Sequence, residues 1–218
     1  MERVVCLAIG YVFGLFQTAF IYGKMNGIDI REHGSGNAGT TNALRVLGKK
    51  AGAIVFLGDV LKTVFAILVI RFIYRDMGTE ILPMLSLYAA AGAILGHNFP
   101  FYLGFKGGKG IAATAGMILA FDWRFTVVCA IVFLAAFLIT HYVSLGSLLV
   151  YLTFLIEIVI LGQLGLLRVT EPVHLYEMYV VSIFLAVMAY VKHIPNIKRL
   201  IKGEERKTFL SKKNKEEA

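Results

Sequence analysis

Apolar runs long enough to carry a helix across ~30 Å of hydrocarbon recur along the whole of this chain. They cover roughly residues 4–23, 52–73, 82–97, 111–121, 125–141, 145–162 and 176–192. Of 218 residues, 58% are hydrophobic and 17% charged. A water-soluble domain of this size has no interior large enough to hide that much apolar surface. The expected fold is an all-α integral membrane protein with one domain over residues 1–203. Residues 204–218 are expected to form a charged, partly disordered tail. The first run, Val4 to Tyr22, lacks a small-x-small cleavage site before Lys24 and reads as a spanning helix rather than a signal peptide. Cys6 and Cys129 both lie inside apolar runs, with neither a disulfide framework nor metal-ligand spacing.

The stretch 111–141 admits one long helix or two. Asp122-Trp123-Arg124 interrupts it, and a single helix would hold two charges near mid-membrane at roughly 2.5–3.5 kcal/mol each. Charge bias decides between them. With seven crossings, sixteen of the 22 Lys and Arg residues fall on one side, in segments 24–50, 98–110 and 192–218. With six, the basic C-terminal segment moves to the other side from the first loop. The positive-inside rule therefore predicts seven transmembrane helices, N-terminus outside and C-terminus cytoplasmic. The span 111–121 is short, near ~16 Å as a helix.

Seven crossings place all the unusual polar segments on the cytoplasmic face. The first loop, Gly34-Ser35-Gly36-Asn37-Ala38-Gly39-Thr40-Thr41-Asn42-Ala43-Leu44-Arg45, combines bare backbone amides, hydroxyl and amide donors, and a guanidinium fork. That is the equipment for holding phosphate oxyanions; the plainer alternative is a Gly-rich hairpin whose Arg45 neutralises lipid head groups. The second, Gly96-His97-Asn98-Phe99-Pro100 to Gly104-Phe105-Lys106-Gly107-Gly108-Lys109-Gly110, is not a nucleotide P-loop. Leu103 stands where glycine is needed, Gly110 follows Lys109 in place of Ser or Thr, and no strand precedes it. What remains is an amide nest with Lys106 and Lys109 at a helix start, suited to a single phosphate. His97 reads as a structural hydrogen-bonder or a phosphate donor.

Asp59 and Lys62 lie three residues apart inside the second span, so they pair with each other or line a common cavity. Glu157 lies in the sixth span toward the other side and reads as structural. His193, Asn196 and Arg199 repeat at three-residue intervals after the last span, near one helical stripe; an interfacial basic helix is the plainer reading. Ser144 and Ser147 sit beside them if the turn at 142–147 folds inward.

Taken together, three blocks resemble the signatures of the bacterial acyl-phosphate-dependent glycerol-3-phosphate acyltransferases, the PlsY family. They are Ser35 to Arg45; Gly96-His97-Asn98-Phe99-Pro100 with Phe105 to Gly110; and His193 with Asn196-Ile197-Lys198-Arg199-Leu200 and Gly203-Glu204. Thr40 and Thr63 depart from residues frequent in that family. The resemblance implies transfer of a fatty acyl group from acyl phosphate to sn-glycerol 3-phosphate, giving lysophosphatidic acid and phosphate, with no cofactor and no metal. It implies Ser35, Arg45, His193 and Asn196 as catalytic residues. Gly36, Asn37, Thr41, Asn42, Lys62, His97, Lys106, Gly107, Gly108, Lys109, Gly110, Ser144 and Ser147 would bind substrate, and Asp59 and Glu204 would be structural. His193 is the obvious base by titration range, but the donor's own phosphate dianion can take the hydroxyl proton. The favoured reading is substrate-assisted transfer with His193 orienting the acceptor. The implied location is the bacterial inner membrane, with membrane lipid around it and functional coupling to an acyl-phosphate-forming enzyme.

The net charge of +8 suits anionic head groups and anionic substrates. Nucleic acid is not an expected partner, because the cations are spread over loops rather than gathered on one face. A transporter of an organic phosphate is the rival of another class, but transporter sites lie at the midplane between repeats, and no repeat is visible here. No histidine has Asp five residues on, so the His-x-x-x-x-Asp acyltransferase chemistry is not supported.

Overall fold

The computed structural model describes residues 1–209. Among them the regular structure is helical, without strands. The order is α1 (Glu2–Gly14), α2 (Thr18–Met25), α3 (Thr40–Ile73), α4 (Leu82–Asn98), α5 (Ile111–Phe121), α6 (Trp123–Thr140), α7 (Val143–Gln163), α8 (Pro172–Lys192) and α9 (Ile194–Ile201). Five stretches are long and apolar enough to cross a membrane: Glu2–Met25, Thr40–Ile73, Trp123–Thr140, Val143–Gln163 and Pro172–Lys192. α5 is a shorter apolar helix. Large apolar side chains such as Phe65, Phe72, Leu138, Ile139 and Val180 stay exposed along these helices, as a lipid-facing surface requires.

Two boundaries differ from the sequence reading, and a third point follows it. The run 4–23 is not one helix, because the chain breaks between α1 and α2 at buried Gln17. Its side-chain amide donates to the carbonyls of Gly14, Gly96 and His97, each at 3.1 Å. One polar side chain thus satisfies carbonyls at the ends of two helices that water cannot reach. α3 begins twelve residues before the expected 52, with Gly48 as a kink (φ 87°, ψ −177°) inside it. Only glycine takes that conformation without strain. The ambiguous stretch 111–141 is two helices, the alternative that the charge bias favours. Asp122 is extended between them (φ −159°, ψ 138°) and its carboxylate accepts from the Arg124 amide at 2.9 Å, capping α6.

The bundle is drawn tightest between α1 and α4. A Cβ added at Gly10, Gly14, Gly92 or Gly96 would overlap the backbone carbonyl of Ala89, Ala93, Leu7 or Tyr11 respectively. Spacing of glycines by four on each helix puts both pairs on the contact face, the small-residue pattern that lets membrane helices touch backbone to backbone. α5 approaches α3 in the same way, with Gly116 against the Val60 carbonyl. Around these contacts Met84, Leu85, Ile94, Met117, Phe125, Tyr151 and Phe154 form the buried core. This scaffold brings the first loop, the α4–α5 loop, the α6–α7 turn and the α8–α9 corner to one end of the bundle.

Candidate active site

At that end lies a pocket of about 440 Å³. Two helices begin at its wall. The N-cap of α3 is Gly39 and the N-cap of α5 is Gly110 (φ 84°), and neither helix start has a side-chain cap. The first-turn amides of a helix have no internal partners. Here those turns, Thr40-Thr41-Asn42 and Ile111-Ala112, line the same cavity. Each therefore offers amides and the positive end of a helix dipole to an anion. Arg45, Lys109, Arg199 and Arg206 line the pocket as well, against the carboxylates of Glu205 and Asp59.

The first loop is held by Asn42, which is 1% exposed. Its Nδ2 donates to the carbonyls of Ile30 (3.0 Å) and His33 (2.9 Å), while its Oδ1 accepts from the Ser35 amide at 2.8 Å. These bonds occupy its side chain in shaping the loop, so that Ser35, Asn37 and Thr41 face the pocket. Arg45 donates through Nη2 to Thr208 Oγ1 (2.7 Å) and to the Arg206 carbonyl (3.2 Å).

The α4–α5 loop folds back on the end of α4. The Gly107 amide donates to the Asn98 carbonyl at 3.3 Å and the Gly108 amide to the His97 carbonyl at 3.1 Å. These amides are spent, so the expected phosphate nest over 107–108 does not form. The glycines serve close approach instead: a Cβ at Gly107 would strike the His97 carbonyl, and one at Gly108 the His97 ring. The anion-facing amides come one turn later, from α5. Lys109 reaches the pocket and contacts Asn196 Oδ1. Lys106 is exposed and lies outside the pocket lining, since the glycine fold-back turns its side chain away.

Lys62 is also removed from the pocket surface. It is 4% exposed and donates to Asp59 Oδ1, to His97 Nδ1 and to the Phe16 carbonyl, each at 2.8 Å. Asp59 Oδ1 also accepts from Thr18 at 3.1 Å. The pairing reading of Asp59 and Lys62 thus has its geometry. Asp59 and His97 contribute to the pocket floor, and Asp59 Oδ2 has no partner among the described residues.

The third block is organised by Glu205 rather than by Glu204, which is exposed. Glu205 Oε1 accepts from Asn196 Nδ2 (2.8 Å) and Ser144 Oγ (3.0 Å), and Oε2 from Arg199 Nε (2.7 Å). Burial alone would raise its pKa, but these three donors outweigh it and hold the carboxyl below the ordinary value. Ser147 Oγ donates to the Val143 carbonyl at 2.7 Å, within its own helix. The segment 204–209 is packed, not free: the Thr208 amide donates to the His141 carbonyl at 2.9 Å, and Arg206 reaches the Gly34 carbonyl. The expected tail therefore starts no earlier than the end of this strap, and residues 210–218 lie outside the described ones.

Lys109 and His193 also titrate away from their ordinary ranges. Burial, with repulsion from Arg199, Arg45 and Lys192, brings Lys109 down to about 8. Burial brings His193 down to about 4. His193 Nδ1 lies 2.8 Å from the Ala189 carbonyl, which can only accept, so Nδ1 carries the proton and Nε2 is left as an acceptor. Arg199, Glu205 and Arg206 are pocket residues absent from the sequence-derived site. Arg199 had a signal in the three-residue repeat, Glu205 stands beside the glutamate chosen in its place, and Arg206 belonged to no motif.

The family model described as glycerol-3-phosphate acyltransferase matches residues 4–203. A glycerol-3-phosphate acyltransferase of Clostridioides difficile (strain 630) is 40% identical over 206 residues, 94% of each chain. One of Thermoanaerobacter sp. (strain X514) is 36% identical over 208 residues, 95% of this chain and 96% of its own. Two solved structures are also similar, both of PlsY (YgiH), an integral membrane glycerol 3-phosphate acyltransferase. The glycerol 3-phosphate form has a TM-score of 0.80 and the lysophosphatidic acid form 0.78. Each is 28% identical, with 96% of both chains covered.

Proposed function

This chain belongs to the glycerol-3-phosphate acyltransferase family, and from that premise we propose that it draws its acyl group from an acyl phosphate at the pocket between α3 and α5. It acylates glycerol 3-phosphate to lysophosphatidic acid. The transporter alternative is set aside by the family. One observation carries the donor assignment: two uncapped helix starts and four cations surround one cavity. A reaction between two phosphate-bearing anions needs that much positive potential to bring them together.

The donor's phosphate and carbonyl oxygen are taken by the start of α3, with Ser35, Thr41 and Arg45. Phe56 and Phe133 on the pocket's apolar flank receive the beginning of its fatty chain. Glycerol 3-phosphate places its phosphate at the start of α5, beside Lys109. His193 Nε2 accepts the hydrogen bond of the reacting hydroxyl, and Asn196, fixed by Glu205, holds Lys109 in place. The hydroxyl oxygen attacks the acyl carbon and the bond from that carbon to the phosphate oxygen breaks. The departing phosphate takes the hydroxyl proton, so lysophosphatidic acid and inorganic phosphate leave with charge and protons balanced. An imidazole lowered to about 4 is a weak base but a sound acceptor, which supports the substrate-assisted route. Preorganised amides and cations supply the stabilisation of charge at the carbonyl.

The membrane arrangement is seven crossings, with α1 and α2 forming one and α3 to α8 the others. The pocket faces the cytoplasm of a bacterial inner membrane. An enzyme that makes acyl phosphates supplies the donor. Purified protein given palmitoyl phosphate and glycerol 3-phosphate is expected to release phosphate and form lysophosphatidic acid, while palmitoyl-CoA gives none. Robust use of the thioester would overturn the donor assignment.

A further inference from the structure

At the end of the bundle opposite the pocket, three arginines meet around one recess. They are Arg71 near the end of α3, Arg124 in the first turn of α6 and Arg168 in the loop before α8. Asp122 is the carboxylate lining this recess, and Arg124 occupies both of its oxygens, Nε to Oδ1 at 2.9 Å and Nη2 to Oδ2 at 2.6 Å. Arg71 is half-buried and donates only to neutral acceptors, Ser86 Oγ at 3.2 Å and the Phe121 carbonyl at 3.4 Å. Among the described residues neither Arg71 nor Arg168 forms an ion pair, whereas Arg75 and Arg124 each do.

A guanidinium held away from bulk water without a counter-ion is a costly arrangement. Arg71 meets that description; Arg168 is exposed, and the two unpaired forks facing one recess suit an anion with several oxygen acceptors. Trp123, 72% exposed on the recess wall, is the amphipathic side chain that settles at head-group depth. We propose that this recess binds a phosphate anion, supplied by the phosphodiester of an anionic phospholipid in the leaflet opposite the active pocket. The site is independent of the acylation chemistry, since α5 and the length of α6 separate the two ends.

Trp123 is the chain's only tryptophan, so its fluorescence reports on this recess alone. Full-length protein in phosphatidylcholine nanodiscs is titrated with phosphatidylglycerol, and separately with inorganic phosphate. A saturable spectral shift with phosphatidylglycerol is expected, roughly tenfold weaker in Arg71→Gln and in Arg168→Gln, the loss of one charge-assisted contact. Lys109→Gln should leave the shift intact. Arg168 is exposed and its side chain holds no hydrogen bond among the described residues, so Arg168→Gln tests the site even if Arg71→Gln fails to fold; its acylation rate in phosphatidylcholine should match the parent. The same shift with inorganic phosphate alone would keep the anion site and overturn the lipid source. No saturable change with either anion, or a change undiminished in both arginine variants, would overturn the site itself.

Discussion

His193 enters the pocket with its protonation state fixed by its neighbours. Nδ1–H donates to the Ala189 carbonyl and burial keeps the ring neutral. If it orients the acceptor, His193→Ala should lower kcat by about one to two orders of magnitude, the usual cost of lost positioning. A loss of several thousand-fold would restore the ring to the role of base. Lys109 gives a sign to the pH dependence. Its charge is complete below about 8 and is lost as pH rises through that value. The affinity for glycerol 3-phosphate, read as kcat/KM, should therefore fall on the alkaline side near pH 8. A bound phosphate favours the charged amine, so the corresponding limb in kcat should lie at higher pH. Lys109→Arg should move the kcat/KM limb upward, and an unmoved limb would exclude Lys109 as its source. Glu205 is the remaining residue on which several others depend. Removing it leaves Arg199, Asn196 and Ser144 without their acceptor. Glu205→Ala should cost upwards of ~2 kcal/mol, less than the ~3–5 of a fully buried pair because Arg199 is 37% exposed. Glu205→Gln should recover part of that, as thermal denaturation in detergent will show.

Between elements, the α1–α4 contact positions the pocket at a distance. Gln17 ties the break after α1 to the carbonyls of Gly96 and His97, and His97 in turn receives Lys62. Any outward shift of α1 is thus passed to the floor of the site. Gly96→Ala places a methyl against the Tyr11 carbonyl. Overpacking of this kind costs about 1–3 kcal/mol, and both the denaturation midpoint and activity should drop. Val12→Ala, on the lipid-facing side of α1 at 65% exposure, should change neither appreciably.

For the whole molecule, the strap 204–209 joins parts that are remote in the chain. Arg206 meets Gly34, Thr208 meets Arg45 and His141, and Glu205 meets Ser144 and Asn196. A chain ending at Gly203 loses all of these and should lose acylation while its apolar helices still insert. Near-parental activity of that truncation would deny the strap its organising role. A reporter fused at the C-terminus should be active only as a cytoplasmic fusion; a periplasmic signal would break the seven-crossing arrangement.

The sequence by itself determined the membrane-spanning helical class, because hydrocarbon admits few other ways to satisfy a backbone. It also determined most helix positions and the three polar blocks, because those depend on local composition. The break at Gln17 was not legible, since it rests on carbonyls some eighty residues away. Nor was the difference between Lys106 and Lys109, or between Glu204 and Glu205: neighbours of the same type part company only when packing turns one inward. Gly107 and Gly108 looked like phosphate ligands, yet their amides are consumed by the end of α4. Tertiary structure alone decided these points, because which donors remain free for a substrate is known only after every carbonyl in the fold has claimed its own.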